Sequence, residues 1–561
     1  MAEAKEYWKK YESGVEYNST FKGDKDWYKS VKVWNAFYNG DQWIGVEGAD
    51  NLPKPSFNYI KRIGDFQIAS LTSSDIAVNV EPLEFVPHTK ENIDELFDSD
   101  FVNAEIKNLM EKLNFRVFKK DALRKACITG DMCAHLIFNP EKKPYRGFAP
   151  AVEGEIEIEL VDVTNVIFGN ANERKVEKQP WIVLVGRDTV DNLKREAKLM
   201  KAKGKADDIK KDDDTDYLMT DYANVEIAAD DKSTGKAKYI YVYEKEYKNG
   251  ETKIYVTKCT KDAIIYEKVE TGYTRYPIAF GNWFAQDNTY HGRGLVEGMC
   301  STQTSLNKLI AMCIYYQMLT AFSPVIYDGD MIPDWTNEIG VAYEVKNLNG
   351  RNLSDVATYL NPANMSGNIV SVIELVMQYM KDSMGVSDAS LGNIDPKNTS
   401  AILAVQKSTA VPLENVKDNL YDFVEQIVLI LLDIMAAKYG PRPVVISGEN
   451  GARELIEYDF SKLKGMDLKL GIDVGETSYF SELAMLQTLD NLLQGQYIEF
   501  IDYLERIPNE MFPKKAEYIA EMKEKQQADK EVVYEKISQF MAYIPQQEQQ
   551  AFAEAIDQLS M

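Results

Sequence analysis

The chain has little of the chemistry that enzymes usually display. Among 561 residues there are three histidines, His88, His135 and His291, and five cysteines, Cys127, Cys133, Cys259, Cys300 and Cys313. The histidines are far apart and no two cysteines form C-x-x-C, so neither a zinc-ligand spacing nor a disulfide frame emerges. An odd cysteine count at these spacings points to reduced thiols, as in a cytosolic setting. His135 lies near Cys127 and Cys133 in sequence, but the spacing fits no familiar zinc pattern, and packing roles are expected for all three. No metal and no cofactor is expected. G-x-x-x-x-G-K-[ST], G-x-S-x-G and H-E-x-x-H are all missing, so there is no phosphate cradle, no nucleophile elbow and no zinc-protease helix. The 88 acidic residues contain no pair that the sequence singles out for general acid–base work. An enzymatic role has no residue to rest on.

Long hydrophobic runs are also missing. The most apolar stretch, Ile427 to Leu432, is closed by Asp433 and is far too short to span a bilayer. Met1 to Lys10 is charged and lacks the apolar region of a secretory leader. A soluble protein with no membrane partner is expected. Positive charge is in deficit, with 64 Lys and Arg against 88 Asp and Glu, a net charge of −24. Such a chain is a poor sequence-reading DNA binder, because phosphate neutralisation supplies most non-specific affinity. It can still surround DNA without gripping it, since a like-charged wall disfavours sticking.

The pattern along the chain is α+β and mainly helical. Trp27 to Trp43 carries aromatic anchors and ends in a turn signal. Helical periodicity runs through Ile60–Thr72 and Ile93–Ala126. Strand-like stretches follow at Ile156–Phe168, Trp181–Gly186, Tyr239–Tyr247, Lys253–Thr257 and Ala263–Val269, with Asn249-Gly250 as a hairpin turn. Residues 191–238 interrupt them with Lys, Asp and little apolar content, and read as a mobile, solvated insertion. Its Asp212-Asp213-Asp214 lacks the Gly and Glu of a Ca²⁺ loop.

Two segments stand out for lack of charge. Leu295 to Phe322 is a long helical pattern in which only Glu297 and Lys308 are charged. Asn368 to Met384 is a second, with Ile369, Val372, Ile373, Val376 and Met380 on one face. Such helices need partners, inside the domain or on neighbouring chains. Between them lies a short mixed module with Pro333, Trp335 and Gly350. After the second comes the Gly-punctuated loop from Gly385 to Asn398, then a long helical pattern with a kink expected at Pro412. Leu413, Leu420, Phe423, Val424, Ile427, Leu431 and Ile434 form its apolar stripe, and Gly440-Pro441 ends it. From Ser478 onward the chain reads as mostly helical.

The order of these features resembles the portal proteins of tailed bacteriophages. Phe37-Tyr38-Asn39-Gly40-Asp41-Gln42-Trp43 resembles that family's opening motif. Asn58-Tyr59-Ile60 through Ala77-Val78-Asn79-Val80-Glu81-Pro82 resembles its first helix-and-strand segment, and Gly294-Leu295 to Asn307-Lys308-Leu309 its first stem helix. Leu391-Gly392 with Asn398-Thr399-Ser400-Ala401-Ile402 is similar to its tunnel loop and the start of its long helix. Tyr503-Leu504-Glu505-Arg506-Ile507-Pro508 matches a segment near its C-terminus.

The resemblance implies a portal fold with a wing at 1–290, a first stem helix at 291–322 and a clip at 323–366. It implies a second stem helix at 367–384, a tunnel loop at 385–399, a long kinked helix at 400–440, a wing return at 441–477 and a helical crown at 478–561. It further implies a homo-oligomeric ring of about twelve subunits at one capsid vertex of the virion, assembled in the host bacterial cytoplasm. Through that ring double-stranded DNA would pass without sequence specificity during packaging and ejection. The implied partners are the terminase large subunit, the major capsid or scaffolding protein, and a head–tail adaptor. Asp388, Asn393, Asp395, Lys397, Asn398, Thr399 and Lys407 would face the DNA channel, and Trp335 and Tyr343 would anchor docking partners. The rival readings are a non-portal virion adaptor and an α+β enzyme using carboxylates.

Overall fold

The computed structural model describes residues 2–23, 26–44, 46, 52–72, 76–82, 99–143, 153–200, 206–211, 235–248, 250–321, 325–332, 335–336, 344–359, 367–385, 411–447, 453–464, 466, 468–474, 488–495, 497–498, 500–507, 515, 518–519, 522 and 525. They fall into two compact units, Met1–Asp473 and Val474–Met561.

The first unit opens with α1 (Ala2–Thr20), α2 (Trp27–Asn39), α3 (Tyr59–Thr72), β1 (Ile76–Pro82), α4 (Ser99–Lys112) and α5 (Phe115–Thr129). Asp26 caps α2 by accepting the Tyr28 N–H at 3.0 Å, and Gly40 ends it in the left-handed conformation with φ 106°. Trp27, Val31, Trp34 and Tyr38 recur at helical spacing and are all buried. The expected continuous helix through Ile93–Ala126 is instead two helices, and residues 93–98 lie outside the described ones. Asn114 makes the break: it sits at φ 49°, a region asparagine tolerates better than most residues.

Strands β2 (Asp131–Asn139), β3 (Glu155–Val161), β4 (Val166–Phe168) and β5 (Trp181–Thr189) follow, then α6 (Val190–Leu199). The expected single strand at Ile156–Phe168 is split between two sheets. Asp162 causes the split, because its carboxylate accepts from Thr164 N–H at 3.1 Å and Thr164 Oγ1 at 2.7 Å and forces a 3₁₀ turn. The segment read as a solvated insertion begins with the ordered α6. Its Leu193 and Ala197, four apart, bury against Ile209, Ala237, Ala263 and Ile265. Asp212-Asp213-Asp214 lies outside the described residues.

The strands β6 (Lys236–Lys248), β7 (Glu251–Thr260), β8 (Ile264–Glu270) and β9 (Ile278–Asn282) complete the sheets. β4-β5-β6-β7-β8 is antiparallel throughout, and β2 pairs antiparallel with both neighbours in the order β3-β2-β9. Lys248 pairs with Glu251 across the expected hairpin, with Gly250 at φ 86°. His135 is buried with Nε2 2.8 Å from the Tyr243 hydroxyl, and burial drives its pKa down to about 3, so the ring is neutral. Cys127, Cys133 and Cys259 are buried free thiols pushed well up by burial.

Next come α7 (Leu295–Ala321), a small pair formed by β10 (Val325–Tyr327) and β11 (Ala357–Tyr359), α8 (Ile369–Ser383) and α9 (Glu414–Lys438). Every residue of the stripe expected on α9 is buried, and the helix packs over β9 and β2. Gln426 binds the outer edge of β9 on both sides, accepting from Phe280 N–H at 3.1 Å and donating to its carbonyl at 3.2 Å. β12 (Pro441–Ser447) and β13 (Arg453–Asp459) form a hairpin, and β14 (Leu468–Val474) pairs with β1. In the second unit, residues 488–494 and α10 (Phe500–Arg506) are helical, with Leu489, Ile501 and Leu504 buried and Tyr503 donating to Asp490 at 2.6 Å. No described helix is long and apolar enough to cross a membrane.

One buried carboxylate in this frame titrates near neutrality. Glu105 on α4 is 3% exposed and one of its oxygens has no hydrogen-bond partner. Burial pushes its pKa up to about 7, against the pull of Lys112 and Arg442. The folded state therefore holds a proton that the unfolded chain releases, so the contribution is full at low pH and is lost as pH rises through 7. Glu105→Gln should raise the unfolding midpoint at pH 8.5 and change it little at pH 5, with a stability gain of about 1–3 kcal/mol at the higher pH. Thermal unfolding at the two pH values checks this, and an equal shift at both would contradict it.

Candidate functional site

Neither low-charge helix is fully covered by its own chain. The first half of α7 buries Leu295, Val296, Met299, Gln303, Leu306, Asn307 and Ala311. Its second half exposes Met312, Ile314, Tyr315 and Met318, the last at 51%. α8 packs along α7 and buries only Met380, with Ile373 and Val376 partly buried against the core, leaving Val370, Val372, Leu375 and Tyr379 exposed, the last at 60%. Val372 thus falls outside the covered face on which it was expected. Large apolar side chains exposed along two helices in this way mark an interaction site.

The root of the pair is rigid and polar. A chain of buried amides ties α7 to the segment after α2. Gln42 donates to Asn58 Oδ1 at 3.0 Å and accepts from Asn307 at 2.8 Å. Gln303 donates to Asn307 Oδ1 at 2.9 Å and to the Phe57 carbonyl at 2.7 Å. Gln42 belongs to the aromatic turn at residues 37–43, so that motif serves as the mount of the long helix. Gln67 on α3 holds the far end of α8 by donating to the Met384 carbonyl at 3.1 Å.

The elbow feeding α7 is tighter still. Asp131 is fully buried and accepts from Gly292 N–H at 2.6 Å and Asn282 Nδ2 at 2.6 Å, with His291 Nδ1 at 2.7 Å. Backbone closes on backbone here. A Cβ at Gly294 would lie 2.7 Å from the Cys127 carbonyl, and one at Gly292 2.5 Å from the Gly130 carbonyl. Gly298 has room, its nearest neighbours lying 3.9 Å away. Gly294 is therefore required by the close approach of the last turn of α5 within its own chain.

Gly385, at φ +65°, ends the second helix and lies against Pro412, whose Cγ would be 2.7 Å from an added Cβ. Gly385 and Pro412, on either side of residues 386–410, thus lie next to each other. Asp388, Asn393, Asp395, Lys397, Asn398, Thr399 and Lys407 all lie within that stretch, outside the described residues, and Tyr343, in the module before α8, is outside them too. Pro412 sits in the 3₁₀ turn Val411–Leu413 directly ahead of α9, and residues 400–410 of the expected kinked helix are likewise outside. Trp335 stacks on Tyr327 of the small β-pair, with centroids 5.6 Å apart, so it contributes to the packing of that module.

No group of three or more His, Cys, Asp or Glu among the described residues is placed to hold a metal. A cavity of about 270 Å³ between α9 and β9 brings Glu177, Asp422 and Glu425 together with Arg174, Lys175 and Arg275. Glu177 lies 4.0 Å from Arg275 and 3.7 Å from Lys245, and Asp422 accepts from Gln426 at 3.0 Å. The sequence reading missed the elbow because Asp131, Asn282 and His291 are 151 and 9 residues apart along the chain.

The chain matches the family described as phage P22-like portal protein over residues 16–561. No curated protein matches it.

The two glycines make opposite expectations. Gly294→Ala should destabilise the chain by about 2–4 kcal/mol, because backbone must move. Gly298→Ala should be neutral or stabilising by up to about 1 kcal/mol, since a helical glycine with space gains from a methyl. Denaturant unfolding of both variants checks this.

Proposed function

We propose, since this chain belongs to the phage P22-like portal protein family, that it closes into a ring at one capsid vertex and lines the path of the genome. The observation that supports this reading is the uncovered apolar face of α7 and α8 beside a rigid root. A head-to-tail contact repeated around an axis buries that face on every subunit and leaves none exposed. Residues 291–322 and 367–384 are then the stem, 323–366 the clip, 385–399 the tunnel loop and 478–561 the crown, with twelve subunits in the virion.

In such a ring the net acidic chain disfavours lasting contact with DNA. Lys397 and Lys407 each become a band of positive charge able to meet phosphates briefly. The tethering of Gly385 to Pro412 gives the tunnel loop a fixed base. The clip is the docking site for the terminase during packaging and for the head–tail adaptor afterwards. Work on the DNA comes from the terminase, because this chain lacks a phosphate cradle.

Met318→Glu with Leu375→Glu should leave the subunit folded, with wild-type circular dichroism, while reducing ring formation at least about tenfold, because a charge cannot enter an apolar contact unpaired. Native mass spectrometry reads the outcome, and rings at wild-type yield would overturn the assignment of this face. Shortening 386–398 or Lys397→Glu should preserve rings and impair packaging or retention of DNA. Normal genome length and phage titre in the shortened variant would remove the loop's role.

A further inference from the structure

One segment of chain joins the five-stranded sheet to the elbow. Ala4, Tyr7 and Trp8 of α1 are buried, and Tyr7 and Trp8 pack on Ile167, Val183, Val185, Ile240, Val242 and Cys259 of that sheet. A Cβ on Gly14 would lie 2.0 Å from Ile167 Cγ2, so the helix backbone rests directly on the strand side chain. Lys10 forms an ion pair with Glu244 on β6. The other end of the segment meets the elbow. Asn18, fully buried, accepts from the Tyr290 hydroxyl at 2.9 Å, lies 3.0 Å from His291 Nε2, and donates to the Tyr28 hydroxyl at 3.2 Å. The Phe21 ring stacks on His291 at 5.0 Å between centroids. Lys22 Nζ lies 2.6 Å from Glu297 in the first turn of α7 and 4.6 Å from the centre of Trp34.

We propose that residues 2–23 act as a clasp that fixes the direction in which α7 leaves the body of the protein. His291 is held between Asp131 of the body and Asn18 of the clasp, so the elbow is fixed from both sides. Without the clasp, Asn18 no longer meets His291 Nε2 and the Tyr290 hydroxyl, and the half-buried Glu297 loses the cation beside it. Both changes favour opening of residues 291–297. The clasp is a contact within one chain. Only its consequence, a fixed tilt of the ring-lining helices, rests on the portal reading.

Hydrogen–deuterium exchange of the full chain carrying Asn18→Ala and Lys22→Ala tests this. Peptides over residues 290–300 should exchange at least about tenfold faster than in the wild type, with the β6–β7 peptides unchanged. Exchange at 290–300 within about twofold of wild type, in a variant whose β6–β7 peptides stay protected, would overturn the proposal. If the double variant loosens throughout, Lys22→Met keeps the aliphatic contact with Trp34 and removes only the ion pair. The same expectation and the same contrary result then apply to it. Native mass spectrometry of the wild type separates the two readings, because a chain that forms no rings would fail the portal proposal and leave the exchange result standing.

Discussion

The structure turns on the buried carboxylate of Asp131. It stands at the start of β2, directly after Gly130, whose φ of 101° ends α5. Asn282 at the end of β9, His291 and the Gly292 N–H all converge on it. The backbone N–H of Trp283 also donates to the Gly130 carbonyl at 2.8 Å. A carboxylate this deep is tolerable only with its lone pairs filled, and here three donors fill them. The bonds join the end of a helix, two neighbouring strands and the elbow into one unit, from which α7 departs.

The consequence is a division of labour along α7 and α8. Near the body Gln303, Asn307 and Gln67 hydrogen-bond the two helices to the rest of the chain. Farther out the helices present Met312, Met318, Val370 and Leu375, each about half exposed. Rigid roots with apolar free faces suit a part that gains its cover by assembly. In a family of portal proteins, that gives each subunit a fixed wedge to contribute to a ring.

The sequence made the long amphipathic elements legible and obscured those buried on all sides. The stripe on α9 and the hairpin at Gly250 follow from periodicity and turn chemistry. β2 gave no alternating signal, because Asp131 to Leu136 are buried on both faces of the sheet. The break at Asn114 and the split at Asp162 each depend on one residue's local geometry, which a window average erases. α6 was hidden by its lysines, with only Leu193 and Ala197 facing inward. At the candidate site, lack of charge marked α7 and α8. The elbow was invisible because its parts come from distant segments, and Gln42 and Asn307 gain meaning only as a pair.

The account depends most directly on Asp131. Asp131→Ala removes both oxygens and leaves the donors of Gly292 and Asn282 buried without a partner. Denaturant unfolding should show a loss of about 3–5 kcal/mol, as expected when a buried hydrogen-bonded charge is removed from its partners. A loss below about 1 kcal/mol, the range of an ordinary surface change, would contradict the claim that this carboxylate holds the elbow.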